Sequence, residues 1–334
     1  METLHITGYL SDSHPCNPHQ KFIFVKNVKA ASSTVGSVCL RYGLTHHLTP
    51  VFAENPEAGH LRIINSRVIT YNSTCSGANI GYDYIVSHIP SYDYHVLNDF
   101  IPDAKFFTTV RSPYSQFESA FYFYNWEAKF KLSDTKNPFH MFVENISEYS
   151  KIQLSNNRIS NNQLKNGQMY MFGFASSYTE NQNLIDEKIR ELDKEFDLVM
   201  IAEYMDESLV LLKKMMCWEF DDIIYYSNKV MSRETRSQMT ENVKTQIADW
   251  NSADLKLYEH FNRTLWLRIK QYEGDFDNDL QTFRIKQEYI SKKCDKPTDR
   301  PTDRFCRFLK LDCPALKRRA FHKMFKFCSE PKNL

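Results

Sequence analysis

KFIFVKNVKAASSTV, residues 21–35, decides the fold. Phe22–Val25 is an unbroken apolar run of aromatic and β-branched residues, the pattern of a strand buried on both faces. Two lysines follow, Lys26 and Lys29, and then Ala31 and the hydroxyl run Ser32, Ser33, Thr34. That run opens ASSTVGSVCLRYGL, which reads as a helix started by Ser32 or Ser33 with Gly43 near its end. A strand that runs straight into a helix presents unpaired backbone amides and the positive end of the helix dipole to an anion. Three hydroxyls and two ammonium groups at that point suit a phosphate or a sulfate. The motif G-x-x-x-x-G-K-[ST] is missing, and 9 glycines in 334 residues leave little material for a glycine-rich loop. A Walker-type nucleotide kinase is therefore disfavoured. The plain alternative is a capped helix with two surface lysines.

Working outward, DYIVSH (83–88), AKFFTTV (104–110) and DLVMIAE (197–203) are further short apolar runs. Helical patterns lie between and after them. One is expected over 112–130, with Ser112 as N-cap and Pro113 first in the helix. DESLVLLKKMMCW reads as a helix capped by Asp206. Over 252–272, Tyr258, Phe261, Leu265, Ile269 and Tyr272 recur at spacings of three and four, and a charged helix follows over 275–293. Alternating strands and helices imply an α/β fold with a mainly parallel central sheet flanked by helices. Residues 1–20 read as a stem or linker, 21–275 as the main domain, and 276–334 as a charged, cysteine-rich extension packed on it. The Asn- and Ser-rich middle, 133–183, is expected to form loops and short helices around a substrate site.

Two more segments place chemistry at strand ends, where open α/β sheets bind ligands. Arg111 ends the 104–110 strand just before a Pro-started helix, and Ser119 lies two turns into that helix. An arginine there can grip a terminal phosphate with two parallel bonds. His88 directly follows the 83–88 run. A lone histidine is more often structural than catalytic, and His88 gains weight from the two anion sites expected beside it. Lys+Arg number 42 against Asp+Glu 41, so no global field draws the chain to nucleic acid. No acidic cluster suggests a metal.

Eight cysteines, half of them after residue 290, and sequons at Asn72, Asn145 and Asn262 point to an oxidising, glycosylating lumen. At least one disulfide is expected among Cys294, Cys306, Cys313 and Cys328. No apolar run approaches the ~18 residues of a membrane span, so a lumenal reading requires an anchor upstream of this sequence.

These segments resemble the galactose-3-O-sulfotransferase family. KNVKAASSTV is similar to the family's 5′-phosphosulfate loop, K-T-H-K-T-A-S-S-T. VRSPYSQFESAFYFY resembles its 3′-phosphate motif, and SHIPSY its N-H-M-R-F segment. IAEYMDESLVLLKKMMCWEFDDIIYY and WNSADLKLYEHFNRTLW resemble later family segments. Uronyl 2-O-sulfotransferases share the Lys, His and Arg…Ser logic but fit those later segments less well.

The resemblance implies a P-loop-like sulfotransferase fold that uses 3′-phosphoadenosine 5′-phosphosulfate as co-substrate, without a metal. It implies a galactose hydroxyl, the 3-OH, of a glycolipid or glycan as acceptor. It places the protein in the Golgi lumen as a type II membrane protein, in a family where a homodimer is an open option. In this reading Lys26, Lys29, Ala31, Ser32, Ser33 and Thr34 hold the 5′ end of the donor, and Arg111 and Ser119 the 3′ phosphate. Lys29 and His88 are catalytic, as clamp and general base, and Tyr92, Glu203 and Tyr204 are candidates for the sugar side. Three departures stand out: Val28 replaces the family's histidine between the lysines, Ala30 its threonine, and Ile89-Pro90-Ser91 its Met-Arg-Phe. Val28 keeps a second reading open, a catalytically silent sugar- or nucleotide-binding homologue.

Overall fold

In the computed structural model, residues 16–53, 60–70, 81–152, 163–175, 181–226, 239–295 and 304–329 are described, with side chains of the last helix to 324. Strand β1 (Phe22–Val25) is fully buried at every position. It pairs in parallel with β4 (Tyr84–Ser87) on one side and β5 (Lys105–Val110) on the other. Strand β6 (Leu198–Ile201) extends the sheet, again in parallel, to the order β4-β1-β5-β6. A separate hairpin joins β2 (Arg62–Ile64) to β3 (Arg67–Ile69). Its two-residue turn puts both Asn65 and Ser66 at positive φ, the geometry that matches the twist of a hairpin.

The four parallel strands match the four apolar runs within two residues at each end. Helix α1 (Ser32–Thr45) connects β1 to the hairpin, α2 (Tyr94–Phe100) lies between β4 and β5, and α3 (Pro113–Phe123) follows β5. The single helix expected over 112–130 is broken. Asn125 takes a left-handed conformation, and a short α4 (Trp126–Lys129) resumes beyond it. In the middle come α5 (Pro138–Glu144), α6 (Ile146–Lys151), α7 (Gly167–Tyr170) and α8 (Gln182–Glu195). After β6 come α9 (Met205–Met216), α10 (Phe220–Ile223), α11 (Glu241–Trp250), α12 (Ser252–Lys270) and α13 (Phe276–Asp295). The chain closes with α14 (Arg304–Leu309) and α15 (Cys313–Ser329), where the sequence had shown only a charged, weakly periodic tail. Asp206 falls in the first turn of α9 rather than capping it; Tyr204 holds the N-cap position.

Two cores result. The larger surrounds the sheet and includes Leu280, Phe283, Ile290, Leu309 and Leu316, so α13 to α15 share it with β1. The smaller joins Phe117 and Phe121 of α3 to Trp126, Phe139 and Phe142, with Val243 and Ile247 of α11. Phe139 and Phe142 of the 133–183 region thus go into packing, and within it the short α7 reaches the strand ends. Residues 16–20 are fastened to the domain: Cys16 is bonded to Cys217, His19 N donates to Met216 O (2.9 Å), and Trp218 Nε1 donates to His19 O (3.2 Å). The expected C-terminal disulfide is Cys294–Cys306; Cys39 and Cys313 are free and buried.

Gly43 marks the closest approach of α1 to the sheet. A Cβ there would stand 2.5 Å from Tyr84 Cζ, inside a fully buried ring stacked on Phe22. Gly43→Ala is expected to destabilise by about 1–3 kcal/mol, the usual cost of overpacking. Gly81→Ala, where an added Cβ meets nothing within 4 Å, should stay within about 0.5 kcal/mol. Urea midpoints of the two variants check this.

Candidate active site

The carboxyl ends of the four strands carry His88 (β4), Lys26 (β1), Arg111 (β5) and Glu203 (β6) side by side. The chain leaves β1 toward β4 but leaves β5 toward β6, so the connections diverge between β1 and β5. Such a switch point opens a crevice at the strand ends. The loops that border it are 26–31 and 111–112.

Loop 26–31 turns without glycine. Lys29 (φ 55°) and Ala31 (φ 57°) both adopt the left-handed conformation. Asn27 supports the turn: its side-chain Oδ1 accepts from Val28 N (2.7 Å), and its carbonyl accepts from Ser32 Oγ (2.6 Å). Ala31, not a serine, is the N-cap residue, and no side chain caps α1. Thr34 N donates back to Ala31 O (3.0 Å), and the amides of Ser32 and Ser33, at the first two positions of α1, have no intrahelical partner. Ser32 is buried and its hydroxyl is already committed, while Ser33 is exposed and Thr34 partly so. Ser33 and Thr34 are the hydroxyls of this run that reach the surface.

Arg111 spans the crevice. Its Nη1 donates to Lys29 O (3.0 Å), and its Nε lies 3.9 Å from Glu203 Oε1. Glu203 also accepts from Ser112 N, at 3.1 and 3.3 Å through its two oxygens. So a carboxylate, rather than the Ser112 side chain, serves the N-terminus of α3. Glu203 thus engages Arg111 and the start of α3. Lys29 Nζ lies 4.0 Å over the ring of Phe123, an exposed aromatic at the end of α3, and Ser119 is partly exposed on the same helix.

Gln168 and Asp254 had no signal in the sequence. Gln168 clamps the Arg111 backbone from both sides, Arg111 N donating to its Oε1 (2.9 Å) and its Nε2 donating to Arg111 O (2.8 Å). Asp254 holds Gln168 in turn, accepting from Gln168 N (3.0 Å) and Met169 N (2.8 Å). Both residues are fully buried. They lie 57 and 143 positions from Arg111 in the chain, a separation no local pattern bridges.

His88 Nδ1 donates to the carbonyl of Lys26 (2.8 Å). A carbonyl only accepts, so this bond fixes the tautomer and leaves Nε2 as the basic nitrogen. Burial and then the Lys26 charge push the ring down to about 3, against the pull of that hydrogen bond. The imidazole is neutral at any physiological pH. Val28, in the place of the family histidine, is buried, and its carbonyl accepts from Gln116 Nε2 (3.2 Å).

Tyr92 does not join the site. It is 6% exposed, stacks on Phe196 at 5.4 Å and packs edge-on to Phe172, because the Ile89-Pro90 turn carries it off the strand end into the core. Tyr204 is partly exposed in the 3-10 turn after β6, its ring against Trp266. Among the sequons, Asn145 is exposed at the end of α5, and Asn262 lies within α12 with its Oδ1 buried. Asn72 lies outside the described residues. Among the described residues no group of three or more His, Cys, Asp or Glu is gathered for a metal, and no helix is long and apolar enough to cross a membrane.

A family model described as galactose-3-O-sulfotransferase matches residues 1–300. The chain belongs to this family. It is 26% identical over 282 residues to the galactosylceramide sulfotransferase of Mus musculus, covering 84% of this chain and 65% of that protein. Galactose-3-O-sulfotransferase 2 of Mus musculus is 26% identical over 283 residues, which cover 83% and 70% of the two chains. Galactose-3-O-sulfotransferase 4 of Homo sapiens is 26% identical over 350 residues, covering 84% and 71%. This chain thus spans just under two thirds of the length of the mouse galactosylceramide enzyme.

Asp254 gives the site a pH signature. Burial raises its carboxyl to about 7 from 3.8, against two backbone hydrogen bonds that favour the ionised form. Protonation is thus easier in the folded chain than in the unfolded one. The stability that Asp254 contributes is full below about pH 3.8 and is lost as the pH rises through about 7. Asp254→Asn is expected to be less stable overall, with a smaller fall in urea midpoint between pH 5 and pH 8 than the parent chain shows.

Proposed function

We propose that the protein transfers a sulfuryl group from 3′-phosphoadenosine 5′-phosphosulfate to the 3-OH of a galactose on a glycolipid or glycan. The observation that carries this reading is the crevice between β1 and β5. One wall ends in the amides of Ser32 and Ser33 with the hydroxyls of Ser33 and Thr34, and the other in Arg111, itself oriented by Gln168, the Lys29 carbonyl and Glu203. A ligand with phosphate at both ends fits that pair of walls. The galactose 3-OH follows from the family to which the chain belongs.

The donor supplies an activated sulfur–oxygen bond. The α1 amides, Ser33, Thr34 and Lys29 bind its 5′ end, and Arg111 and Ser119 its 3′ phosphate. Lys29 leaves the face of Phe123 to reach the leaving oxygen. His88 Nε2 takes the proton of the galactose hydroxyl as that oxygen bonds to sulfur. The bond between sulfur and the 5′ phosphate oxygen breaks, and its electron pair leaves on the phosphate. Tyr204, beside Trp266 at the end of β6, remains the candidate for contact with the sugar. The disulfides Cys16–Cys217 and Cys294–Cys306 and the exposed Asn145 support residence in the Golgi lumen, with Asn145 rather than Asn262 as the glycosylated sequon.

Transfer of labelled sulfate to a panel of galactose-terminated glycolipids, N-glycans and mucin-type sugars tests the reading; no transfer to any of them, with donor binding intact, sinks it in favour of the silent homologue. His88→Ala should abolish turnover and leave donor affinity within about twofold. Val28→His should change turnover little, because position 28 faces the interior.

The depressed basicity of His88 has a kinetic counterpart. kcat/KM reports the free enzyme, in which His88 stays unprotonated down to about pH 3. The profile should therefore lack an acid limb near pH 6.5. A limb at that pH that disappears in His88→Ala contradicts this.

A further inference from the structure

Four basic groups meet beside the ends of β1 and β4, and two of them have no role so far. Lys26 Nζ lies 3.4 Å from Cys313 Sγ, at the first position of α15. That sulfur sits over Gly36 of α1, where an added Cβ would be 3.2 Å from the sulfur and 3.7 Å from Lys26 Cε. Lys317 stands one turn further along the same face of α15. His60 bridges to His88, whose carbonyl accepts from Leu61 N (2.7 Å). Helix α15 is held in place along its length: Phe321 packs edge-on to Phe52 at 5.1 Å, and Lys323 Nζ donates to Leu44 O (3.0 Å) near the far end of α1.

The groups act on one another. Besides burial, Lys26 lowers the basicity of His88 most, and Lys317 and His60 add to it. His60 is lowered by burial, then by Arg62 and Lys317. Lys317 is lowered by burial, then by Lys26, with Cys313 opposing. None of these principal influences is a carboxylate. Lysines crowded in a partly buried place repel one another, and an arriving anion relieves the repulsion.

We propose that Lys317 and Lys26 form a seat for the sulfuryl oxygens of the donor, so that the C-terminal helix α15 completes the site. The seat borders the ring of His88. A sulfur attacked by the hydroxyl that His88 deprotonates has to lie within reach of that ring. Lys26 also opens the loop that runs into the amides of α1, where the adjoining 5′ phosphate is held. As ammonium groups the two lysines neutralise charge on the sulfuryl oxygens and exchange no proton in the step. Lys317 lies beyond residue 300, where the family match ends. The inference rests on the donor proposed above.

Calorimetry on the full chain with two nucleotides tests it. 3′-Phosphoadenosine 5′-phosphosulfate and adenosine 3′,5′-bisphosphate differ only by the sulfuryl group. Lys317→Met should weaken the sulfated donor by about tenfold or more, the usual effect of losing a hydrogen bond to a charged group. The bisphosphate should change by less than about twofold, and Lys317→Arg should recover most of the loss. Without ligand, Lys317→Met should melt no lower than the parent chain, because a like-charge contact has been removed. Equal losses for both nucleotides, no loss for the sulfated one, or a lower melting temperature overturns the proposal. So does a defect confined to the KM of acidic acceptors. Should the parent chain bind neither nucleotide, the donor reading itself fails. The seat is then read with inorganic sulfate, which should raise the melting temperature above chloride at equal ionic strength in the parent chain and not in Lys317→Met. Equal responses overturn the seat as well.

Discussion

The hydrogen bond from Arg111 to the carbonyl of Lys29 holds the active region together. It joins the loop after β5 to the loop after β1 across the crevice where the chain's connections diverge. The two loops belong to different strand–helix units, which the Gln116 side chain of α3 also links through the Val28 carbonyl. The loop at 26–31 contains no glycine and keeps two residues in a conformation that costs a non-glycine residue roughly 1 kcal/mol or more each. Such a turn persists when its surroundings fix it, and here Asn27 fixes it from within and Arg111 from across the gap. Arg111 is itself immobilised by Gln168, Glu203 and, at one remove, Asp254. Preorganisation of this kind shifts the entropy of ordering from ligand binding to folding.

Much of the sheet was legible because its strands are buried on both faces and read as continuous apolar runs. FIFV, YIVS, KFFTTV and LVMI each carry that signal without help from neighbours. The candidate site was legible to the extent that it sits at strand ends: Lys26, His88 and Arg111 each follow such a run directly. What stayed hidden depends on contacts distant in sequence. Gln168 sits in a one-turn helix inside a polar stretch, and Asp254 occupies a first helical turn, where an acidic residue needs no special explanation. Tyr92 lies four residues after His88 in the chain, and the turn between them takes its ring into the core.

The C-terminal region shows the same limit from the other side. Its helices α14 and α15 have charged faces, and their few apolar positions, Leu309, Leu316 and Ala320, reach the core because α1 and α13 already offer a surface to receive them. Tertiary packing, more than local propensity, makes them helices.

Two disulfides among the described residues constrain different things. The six described strands lie between Cys16 and Cys217, which are 201 residues apart, whereas Cys294 and Cys306 are separated by 12. In the chain-entropy model, closing the first loop restricts the unfolded ensemble by about 5 kcal/mol and closing the second by about 3 kcal/mol. The larger closure bears on the assembly of the whole sheet, the smaller on the edge where α13 meets α14. A chain made where thiols stay reduced has to assemble the sheet without that first restriction, so the redox state of the compartment of synthesis enters the stability of the fold directly.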